Sequence, residues 1–282
     1  MTNGIKCGKY IMRTNAKGVI CMKIGAQLYT CNAHTQNLND FELTLEKVSK
    51  IGYKSVQVSG TCPYEPEWLR DKLQQYGLIC AMTHIAPTRI VNETEEVVKQ
   101  HAIFGCKHIG IGGMPGEMRN TLEGYNEFKK MFLPVAKKMR DLGAKLLYHN
   151  HEFEFDKLAG KDVIERILED FPEDSIDFTL DLGWAAYAGK DVVKLIKLLN
   201  GRLSRIHLKD WVDSPKDGSI PTDPYLRPIY EGKLDYDAYI DALSTAGCEY
   251  MLVEQDWCYD EDEFDCLKRS FDNVVRRFPN VK

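Results

Sequence analysis

The sequence predicts an α/β protein that folds as a single (β/α)8 barrel. Short apolar segments recur eight times along its 282 residues, and amphipathic helical segments lie between them. The length agrees with this fold, because α/β barrels commonly extend over about 250 residues as one domain. A doubly wound sheet is the weaker alternative, since no G-x-G-x-x-G phosphate loop follows the first apolar segment.

Each apolar segment has the length expected for a buried strand of a parallel sheet. The eight predicted strands cover residues 23–29, 54–59, 78–84, 107–112, 145–151, 175–181, 203–209 and 249–255. We therefore expect residues 22–282 to form the barrel domain. Residues 1–21 carry no clear periodicity and are expected to form an N-terminal extension.

The intervals between the strands carry the apolar periodicity of amphipathic helices. The predicted helices cover residues 39–51, 67–75, 93–104, 125–142, 162–170, 192–199 and 235–246. In the first of them Asp40 is the expected N-cap residue, and Gly52 is expected to end the helix. Gly77, Gly105, Gly143 and Gly247 end four of the other helices, which is typical of loops that lead into the next strand.

Composition and charge argue against several classes of protein. Lys and Arg total 37 against 42 Asp and Glu, so the net charge of −5 leaves no basic stripe for nucleic-acid phosphates. No run of 18 apolar residues is present, so we expect no membrane span. The 9 cysteines form no C-x-x-C pair and several lie in apolar runs, which indicates a reduced, cytoplasmic protein.

Ionisable side chains collect where the predicted strands end. His84 ends the third strand, Asp181 ends the sixth, His207 and Lys209 lie in the seventh, and Glu254 lies in the eighth. The fifth strand runs into the sequence YHNHEFEF. Ionisable groups inside apolar segments need a reason, and barrel enzymes carry their chemistry at the carboxyl ends of the strands.

Carboxylates and imidazoles from neighbouring strand ends would meet on one rim and predict a divalent-metal site. Carboxylates with one imidazole suit Mn²⁺, with Mg²⁺ and Co²⁺ as alternatives, whereas further imidazoles favour Zn²⁺. Taken singly, each residue has a structural alternative. His207 could be a hydrogen-bonded strand residue, Asp181 a helix cap, and Glu254 the partner of Lys209.

Two further features suggest contacts with a ligand. Trp184 and Trp257 directly follow strands of the expected site, and aromatic faces suit sugar rings; the alternative is packing at the rim. The Pro-rich segment 211–231 is longer than the about 12–15 residues of ordinary loops, which predicts a lid or a partner contact; the alternative is a mobile surface excursion.

Several stretches of the chain resemble the sugar phosphate isomerase/epimerase group of the xylose-isomerase-like barrel superfamily. They read MKIGAQLYT from residue 22, IGYKSVQVS from residue 51, YHNHEFEF from residue 148, IHLKD from residue 206 and LVEQD from residue 252. In the second stretch many relatives have Glu where this chain has Gln57. The resemblance covers about residues 22–280 in order, and it implies the same barrel fold.

The resemblance also implies a metal ion held by side chains from the fifth to the eighth strand. The implied ligands are Glu154, Asp181, His207 and Glu254. The last three align without gaps, whereas the fifth-strand ligand does not. The alternatives for that ligand are Glu152, His149 and His151.

The activity implied is that of a divalent-metal-dependent sugar isomerase or epimerase, which removes a proton next to a carbonyl through a metal-stabilised enediolate. His149 or His151 would be the base, and Glu254 would carry a proton on the opposite face. Lys209 would polarise the oxyanion. The expected substrate contacts are His84, Gln57, Trp184 and Trp257.

Other activities stay open at this stage. Ketose epimerases of the superfamily use two metal-bound Glu, and this chain departs from them at the fifth strand. A metal-dependent lyase or dehydratase of keto-sugars or 3-keto-glycosides, similar to the inosose dehydratases, is therefore the alternative. A phosphodiesterase like endonuclease IV would need many more ligands than 7 His can supply. A non-catalytic sugar-binding barrel would leave the rim carboxylates unexplained. We expect a small carbohydrate substrate and allow for a homo-oligomer or a partner subunit.

Overall fold

The computed structural model describes residues 6–7, 10–11, 22–220 and 222–279. Eight parallel strands close into a barrel in chain order, with the last strand paired to the first. The strands are β1 (Lys23–Gln27), β2 (Ser55–Val58), β3 (Ile79–His84), β4 (His108–Ile111), β5 (Lys145–His149), β6 (Ile176–Asp181), β7 (Leu203–Leu208) and β8 (Tyr250–Val253). Each lies inside one of the predicted strands, so the predicted (β/α)8 barrel is confirmed.

Helices pack around the outside of the barrel and bury the outward faces of the strands. They are α1 (Leu38–Ile51), α2 (Pro66–Gln75), α3 (Pro87–Asn92), α4 (Thr94–Ile103), α5 (Leu122–Asp141), α6 (Val163–Asp170), α7 (Leu182–Tyr187), α8 (Val192–Leu198), α9 (Tyr236–Ala246) and α10 (Glu263–Arg277). All seven predicted helices are present. None of the described helices is both long and apolar enough to cross a bilayer.

The start of α1 differs from the prediction. Its N-cap is Asn37, whose extended backbone precedes Leu38 and whose side-chain oxygen accepts a hydrogen bond from the Asp40 amide at 3.0 Å. The prediction that Asp40 caps this helix is therefore wrong. Asp40 instead lies in the first turn, where a carboxylate is favourable beside the positive end of the helix dipole.

Two predicted segments lie outside the barrel, and the structure describes only part of each. Most of the expected extension, residues 1–21, lies outside the described residues, apart from a two-stranded ribbon of Lys6–Cys7 and Tyr10–Ile11. The segment after β7 contains a second antiparallel ribbon, in which Asp210–Val212 pairs with Tyr225–Arg227. This segment is thus anchored at its base, and its role as a lid stays a prediction.

The strand register brings the polar ends of the strands together at one rim. Asp181 at the end of β6 pairs with His207 of β7, and His149 at the end of β5 pairs with Thr179 of β6. Apolar side chains such as Leu147 of β5 and Leu252 of β8 are fully buried. The residues that the sequence marked as a site therefore lie at the carboxyl end of a barrel whose interior is filled by side chains, as this fold requires.

Candidate active site

Four buried side chains meet at the carboxyl ends of β5 to β8. They are His149, Asp181, His207 and Glu254, and one nitrogen or oxygen atom of each lies within 4.8 Å of those of the others. We call them the four-residue cluster. At most 5% of any of these residues is exposed, so the cluster is shielded from bulk water.

Each imidazole of the cluster is oriented by one neighbour. His149 Nδ1 donates to the Gly112 carbonyl oxygen at 3.1 Å, which leaves Nε2 facing Asp181 at 3.4 Å. His207 Nε2 donates to Gln57 Oε1 at 2.7 Å, which leaves Nδ1 facing Glu254 at 2.7 Å. Because the outer nitrogen of each ring is held by a hydrogen bond, His149 Nε2 and His207 Nδ1 are the nitrogens that face the centre of the cluster.

Asp181 serves both as a helix cap and as a member of the cluster. Its Oδ1 accepts from the Trp184 amide at 2.9 Å and caps α7, whereas its Oδ2 lies 3.8 Å from His207 Nδ1. Asn150 holds the backbone of the same residue, since its side-chain oxygen accepts from the Asp181 amide at 2.9 Å. The capping role foreseen for Asp181 and its role at the rim are therefore compatible.

Lys209 supplies the positive charge next to the cluster. Its Nζ lies 3.2 Å from Asp181 Oδ2, 3.2 Å from Glu254 Oε2 and 2.7 Å from Asp256 Oδ2. Only 2% of this residue is exposed. A buried ammonium among three carboxylates is a strongly coupled arrangement, in which removal of one partner leaves uncompensated buried charge.

The pKa values follow from burial opposed by these charges. Burial raises the pKa of Asp181 and Glu254, but Lys209 and the neighbouring imidazoles outweigh it and hold both pKa values well below the usual range. Burial likewise disfavours the charged form of His207, yet Glu254 and Asp181 raise its pKa to about 9. The pKa of Lys209 lies well above its usual range despite burial, because Asp181, Asp256 and Glu254 surround it.

A cavity of about 550 Å³ opens onto this cluster and is wide enough for a small ligand. Its wall contains most of the residues that the sequence marked as a site, together with some that it did not. The residues of this wall are Gln27, Tyr29, Asn32, Ser59, His84, Gly112, His149, His151, Trp184, Lys209, Glu254, Asp256 and Trp257. We call this space the active-site cavity.

His84 and His151 extend the polar wall beyond the cluster. The ring centroid of His84 lies 5.2 Å from that of His149, and its Nε2 is buried without a hydrogen-bond partner. The ring of His151 stacks on Phe153 at 5.4 Å, and its side chain is 30% exposed. Burial, with the charges of His149 and Lys209, lowers the pKa of His151 to about 3, so this imidazole is unprotonated at neutral pH.

The two tryptophans differ in their surroundings. The Trp184 indole Nε1 is buried without a hydrogen-bond partner, and the Lys209 ammonium lies 5.0 Å from the centre of the ring. Trp257 is 48% exposed at the mouth of the cavity. The geometry allows both to contact a sugar, and the substrate-binding role of each stays a prediction.

Glu154, the expected fifth-strand metal ligand, lies outside the four-residue cluster. Its Oε1 accepts from the Tyr148 hydroxyl at 2.9 Å and from the Met114 amide at 3.2 Å, and its Oε2 accepts from the His151 amide at 2.7 Å. Both oxygens are thus used to shape the loop after β5. Burial raises the pKa of this carboxyl to about 7. His149 takes the expected place of Glu154 in the cluster.

Gln57 was expected to contact the substrate, but its side chain instead accepts a hydrogen bond from His207. Its side chain is fully buried and does not contribute to the described wall of the active-site cavity. The hydrogen bond from His207 explains its position, since the amide oxygen accepts where a carboxylate would do the same in a relative with Glu.

The residues of the cluster fit a divalent metal. Two imidazole nitrogens and two carboxylate oxygens converge, and the His207 Nδ1 and Glu254 Oε2 atoms are buried without a hydrogen bond of good geometry. Mixed nitrogen and oxygen donors suit first-row ions such as Mn²⁺, Co²⁺ and Zn²⁺, whereas Mg²⁺ prefers oxygen alone. The outer hydrogen bonds from the two imidazoles are those that metal-binding histidines usually make.

Sequence reasoning missed the residues that act through the backbone or through a neighbour. Asp256 follows the eighth strand, and only the structure shows its contact with Lys209. Gly113 has a φ of +139°, and a Cβ there would lie 3.0 Å from His151 Nδ1. The Gly-Gly pair at residues 112–113 was the available signal for this close approach.

Comparison with known proteins agrees with this fold. A family model described as xylose isomerase-like TIM barrel matches residues 45–269. The chain is 26% identical over 188 residues to an inosose dehydratase of Geobacillus kaustophilus, which is 59% of this chain but only 60% of that protein. It is 23% identical over 247 residues to an inosose dehydratase of Clostridium perfringens, covering 77% of this chain and 82% of the relative.

A solved structure of a sugar phosphate isomerase/epimerase from Parabacteroides distasonis has the same fold. Its TM-score to this chain is 0.77 at 17% identity, with 96% of this chain and 99% of that chain covered. The family model spans most of the barrel, including all four residues of the cluster. The chain therefore belongs to the xylose isomerase-like TIM barrel family.

Proposed function

We propose that this protein is a divalent-metal-dependent lyase that acts on a keto-sugar or keto-cyclitol by β-elimination. The observation that carries the proposal is the place of His149 in the four-residue cluster. The resemblance seen in the sequence favours an isomerase or epimerase, whose paired glutamates require a Glu from the fifth strand. With an imidazole there, and with Glu154 bound to the backbone, only Glu254 remains of that pair.

The activities of the relatives support the same choice. Two inosose dehydratases match more than half of the chain, and dehydratases are lyases. A fold shared with an isomerase/epimerase is compatible with either outcome. Both reactions begin with removal of a proton next to a carbonyl, so the same residues would serve them, and the substrate's leaving group decides between them.

His149, Asp181, His207 and Glu254 would hold the metal ion. When bound there, a divalent ion would supply Lewis acidity toward a substrate oxygen. Mn²⁺ stays our first candidate for the metal. Because the cluster contains a second imidazole, Co²⁺ and Zn²⁺ are better alternatives than Mg²⁺. The rigid outer hydrogen bonds from His149 and His207 preorganise the site before metal binding.

His151 is the proposed base. It lines the active-site cavity, is partly exposed and stacks on Phe153, which fixes the plane of its ring. After it accepts the proton from carbon, its Nδ1 lies 4.0 Å from the Glu154 carboxylate, which would stabilise the imidazolium. The position of Glu154, unexpected for a ligand, thus suits a positioning residue.

Lys209 and Asp256 complete the proposed reaction. The Lys209 ammonium would hydrogen-bond the oxygen on which negative charge develops. The electron pair of the broken C–H bond forms a C=C bond, the C–O bond at the next carbon breaks, and the leaving oxygen takes the proton that His151 removed from carbon. The Asp256 carboxylate would hold the Lys209 ammonium in place. Asp256 lies in the wall of the cavity, 2.7 Å from Lys209.

The test uses the metal-loaded protein with two kinds of substrate. An inosose and a 3-keto-glucoside each carry a leaving group next to the acidic carbon, whereas a free ketose in D₂O reports isomerisation by deuterium uptake. We expect an ultraviolet absorbance from the conjugated product with the first kind only. Deuterium exchange into a ketose without elimination from any keto-substrate would show an isomerase or epimerase instead.

Variants connect the reaction to the site. His151→Ala should lower kcat by about 10²–10⁴-fold while the protein still binds metal, because general bases contribute on that order. His34→Ala is the matched control, since His34 lies outside the described wall of the cavity and is 44% exposed in its side chain. Equal losses in the two variants would contradict the assignment.

We further propose that the protein acts in the cytoplasm on a small carbohydrate. The seven cysteines within residues 22–279 carry free thiols, and six of these are buried: Cys31, Cys80, Cys106, Cys248, Cys258 and Cys266. Free thiols are typical of a reducing compartment.

A further inference from the structure

A second cavity lies beside the active-site cavity, between the loops that follow β2 and β3. Its volume is about 480 Å³, and Ser59 and His84 belong to its wall as well as to the wall of the active-site cavity. The two cavities are therefore neighbours across these two side chains. Only one of them contacts the four-residue cluster, so the second has no role in the chemistry proposed above.

Apolar and aromatic groups contribute about half of the exposed wall of the second cavity. These are Val58, Pro63, Tyr64, Pro66, Ile85, Ala86 and Phe104. The rings of Tyr64 and Phe104 meet edge to face with centroids 6.4 Å apart, and Tyr64 makes the same type of contact with Phe41 at 6.0 Å. Aromatic contacts of this kind hold the wall in shape and favour a flat, apolar occupant.

The charged residues of the two cavities are unsuited to an anionic group. Arg89 donates from Nε to Glu93 at 3.3 Å and from Nη2 to Gln100, and Glu65 adds a carboxylate to the same wall. In the active-site cavity the Lys209 ammonium is bound by three carboxylates. The wall of the second cavity thus carries charges of both signs, and three carboxylates outnumber the Lys209 ammonium in the active-site cavity, so neither place favours a phosphate.

We propose that the substrate is a sugar joined to an uncharged, largely apolar second group. The sugar ring would occupy the active-site cavity, and the second group would occupy the second cavity, with the linkage passing Ser59 and His84. The inference rests on the proposed function, because the metal site is what assigns the sugar to the first cavity. A single sugar ring would leave the second cavity unused, although pockets of about 300–1,000 Å³ bury ligands the size of drugs.

The test compares three probes on the manganese-loaded protein by titration calorimetry: glucose, phenyl β-glucoside and glucose 1-phosphate. We expect the phenyl glucoside to bind at least about tenfold more tightly than glucose, because burial of the phenyl ring should raise the affinity by at least that factor. We expect glucose 1-phosphate to bind no better than glucose.

Two variants locate the effect. Ala86 is exposed at the edge of the second cavity, so Ala86→Phe would fill the cavity without disturbing the core. It should abolish the tenfold gain and leave the affinity for glucose unchanged. Ala102→Phe, an exposed position on α4 outside the described wall, is the matched control and should behave as the wild type does.

Three results would overturn the inference: a phenyl glucoside that binds no more tightly than glucose, a tighter binding of glucose 1-phosphate, or an Ala86→Phe variant that retains the gain. Elimination assays separate these from failure of the proposed function. Elimination without any gain from the phenyl group would support the proposed function and contradict the role of the second cavity. A gain from the phenyl group without elimination would support the role of the cavity and contradict the proposed lyase activity.

Discussion

Single hydrogen bonds to the outer nitrogens determine what the two imidazoles of the cluster can do. Gln57 accepts from His207, and the Gly112 carbonyl accepts from His149. Neither partner could be assigned from its place in the sequence, because each acts on a ring from another strand. Two predictions belong to this scale.

The first prediction concerns Gln57→Leu. The change removes the acceptor for His207 Nε2 and leaves that nitrogen without a partner in a fully buried position. We expect the affinity for Mn²⁺ to fall about 10–100-fold, which is the usual effect of removing such an outer partner. Competition with a chelator of known affinity measures it.

The control for this prediction is Gln57→Glu, which restores an acceptor at the same place. It should bind Mn²⁺ far more tightly than the leucine variant does. If the leucine variant bound as well as the wild type, the role assigned to Gln57 would be wrong.

The second prediction concerns Gly113→Ala. A Cβ at this position would lie 3.0 Å from His151 Nδ1 and 3.1 Å from Cε1, and the φ of +139° is strained for any residue with a side chain. We expect kcat to fall because His151 is displaced, while Mn²⁺ affinity stays within a few fold of that of the wild type. The strain itself should cost about 1 kcal/mol of unfolding free energy.

Gly116→Ala provides the comparison for that variant. No atom lies within 4 Å of a Cβ at Gly116, and its φ is not in the left-handed region. This variant should retain full activity. Loss of metal binding in Gly113→Ala would show that the substitution disturbs the whole loop and not His151 alone.

At the scale of elements, the barrel is sensitive to pH where helix α4 packs on strand β3. His101 of α4 is almost fully buried, its Nε2 lies 2.8 Å from Thr83 Oγ1 of β3, and its Nδ1 lies 2.6 Å from the Val97 carbonyl oxygen. Burial lowers its pKa to about 4. The neutral ring is therefore part of the contact between the two elements.

The third prediction is a loss of stability on acidification. The folded pKa of about 4 lies below the unfolded value of about 6.5, so the unfolded chain binds a proton first as the pH falls. The stabilising effect of a neutral His101 is complete above pH 6.5 and is lost as the pH falls toward 4. Between pH 7.5 and pH 5 it should amount to about 2 kcal/mol of unfolding free energy.

Urea unfolding at the two pH values measures this effect in the wild type and in His101→Gln. The glutamine cannot titrate, so the variant should lose about 2 kcal/mol less on acidification than the wild type does. The buried His108, with a pKa of about 3, acts in the same direction in both proteins and therefore cancels from the comparison. Parallel losses in the two proteins would refute the assignment to His101.

At the scale of the whole molecule, the four-residue cluster brings together side chains from one half of the barrel. Its members come from four consecutive strands, β5 to β8, and are spread over more than a hundred residues of chain. In the unfolded chain these ligands are far apart, so a metal would bind the folded state almost exclusively.

The fourth prediction follows from this preference. Mn²⁺ at 100 times its Kd should raise the unfolding free energy by about 2.7 kcal/mol, and chelation should reverse the gain. Thermal unfolding with and without Mn²⁺ measures it as a shift of several degrees. His207→Ala should lose the metal-dependent shift, and a shift that persists in this variant would place the metal elsewhere.

The sequence alone was sufficient for the fold, because the information needed is local. Each strand is an apolar run, and a helix lies between consecutive strands, so eight repeats predict a closed barrel whatever the detailed contacts are. The sequence was not sufficient for the start of α1. Asp and Asn are both common N-cap residues, and the cap is Asn37 and not Asp40, so the helix begins at Leu38, one residue earlier than expected.

Which side chains reach the rim also follows from the sequence, since a residue at the carboxyl end of a parallel strand must lie there. What each of these side chains does depends on the three-dimensional arrangement. Glu154 and His149 stand five residues apart, and no local pattern tells that the loop folds Glu154 onto backbone amides while His149 points at Asp181. The physical reason is that barrel closure fixes the distances between the strand ends. Those distances determine which side chains lie close enough together to bind one metal ion, and the other polar groups hydrogen-bond to the loops and to those side chains.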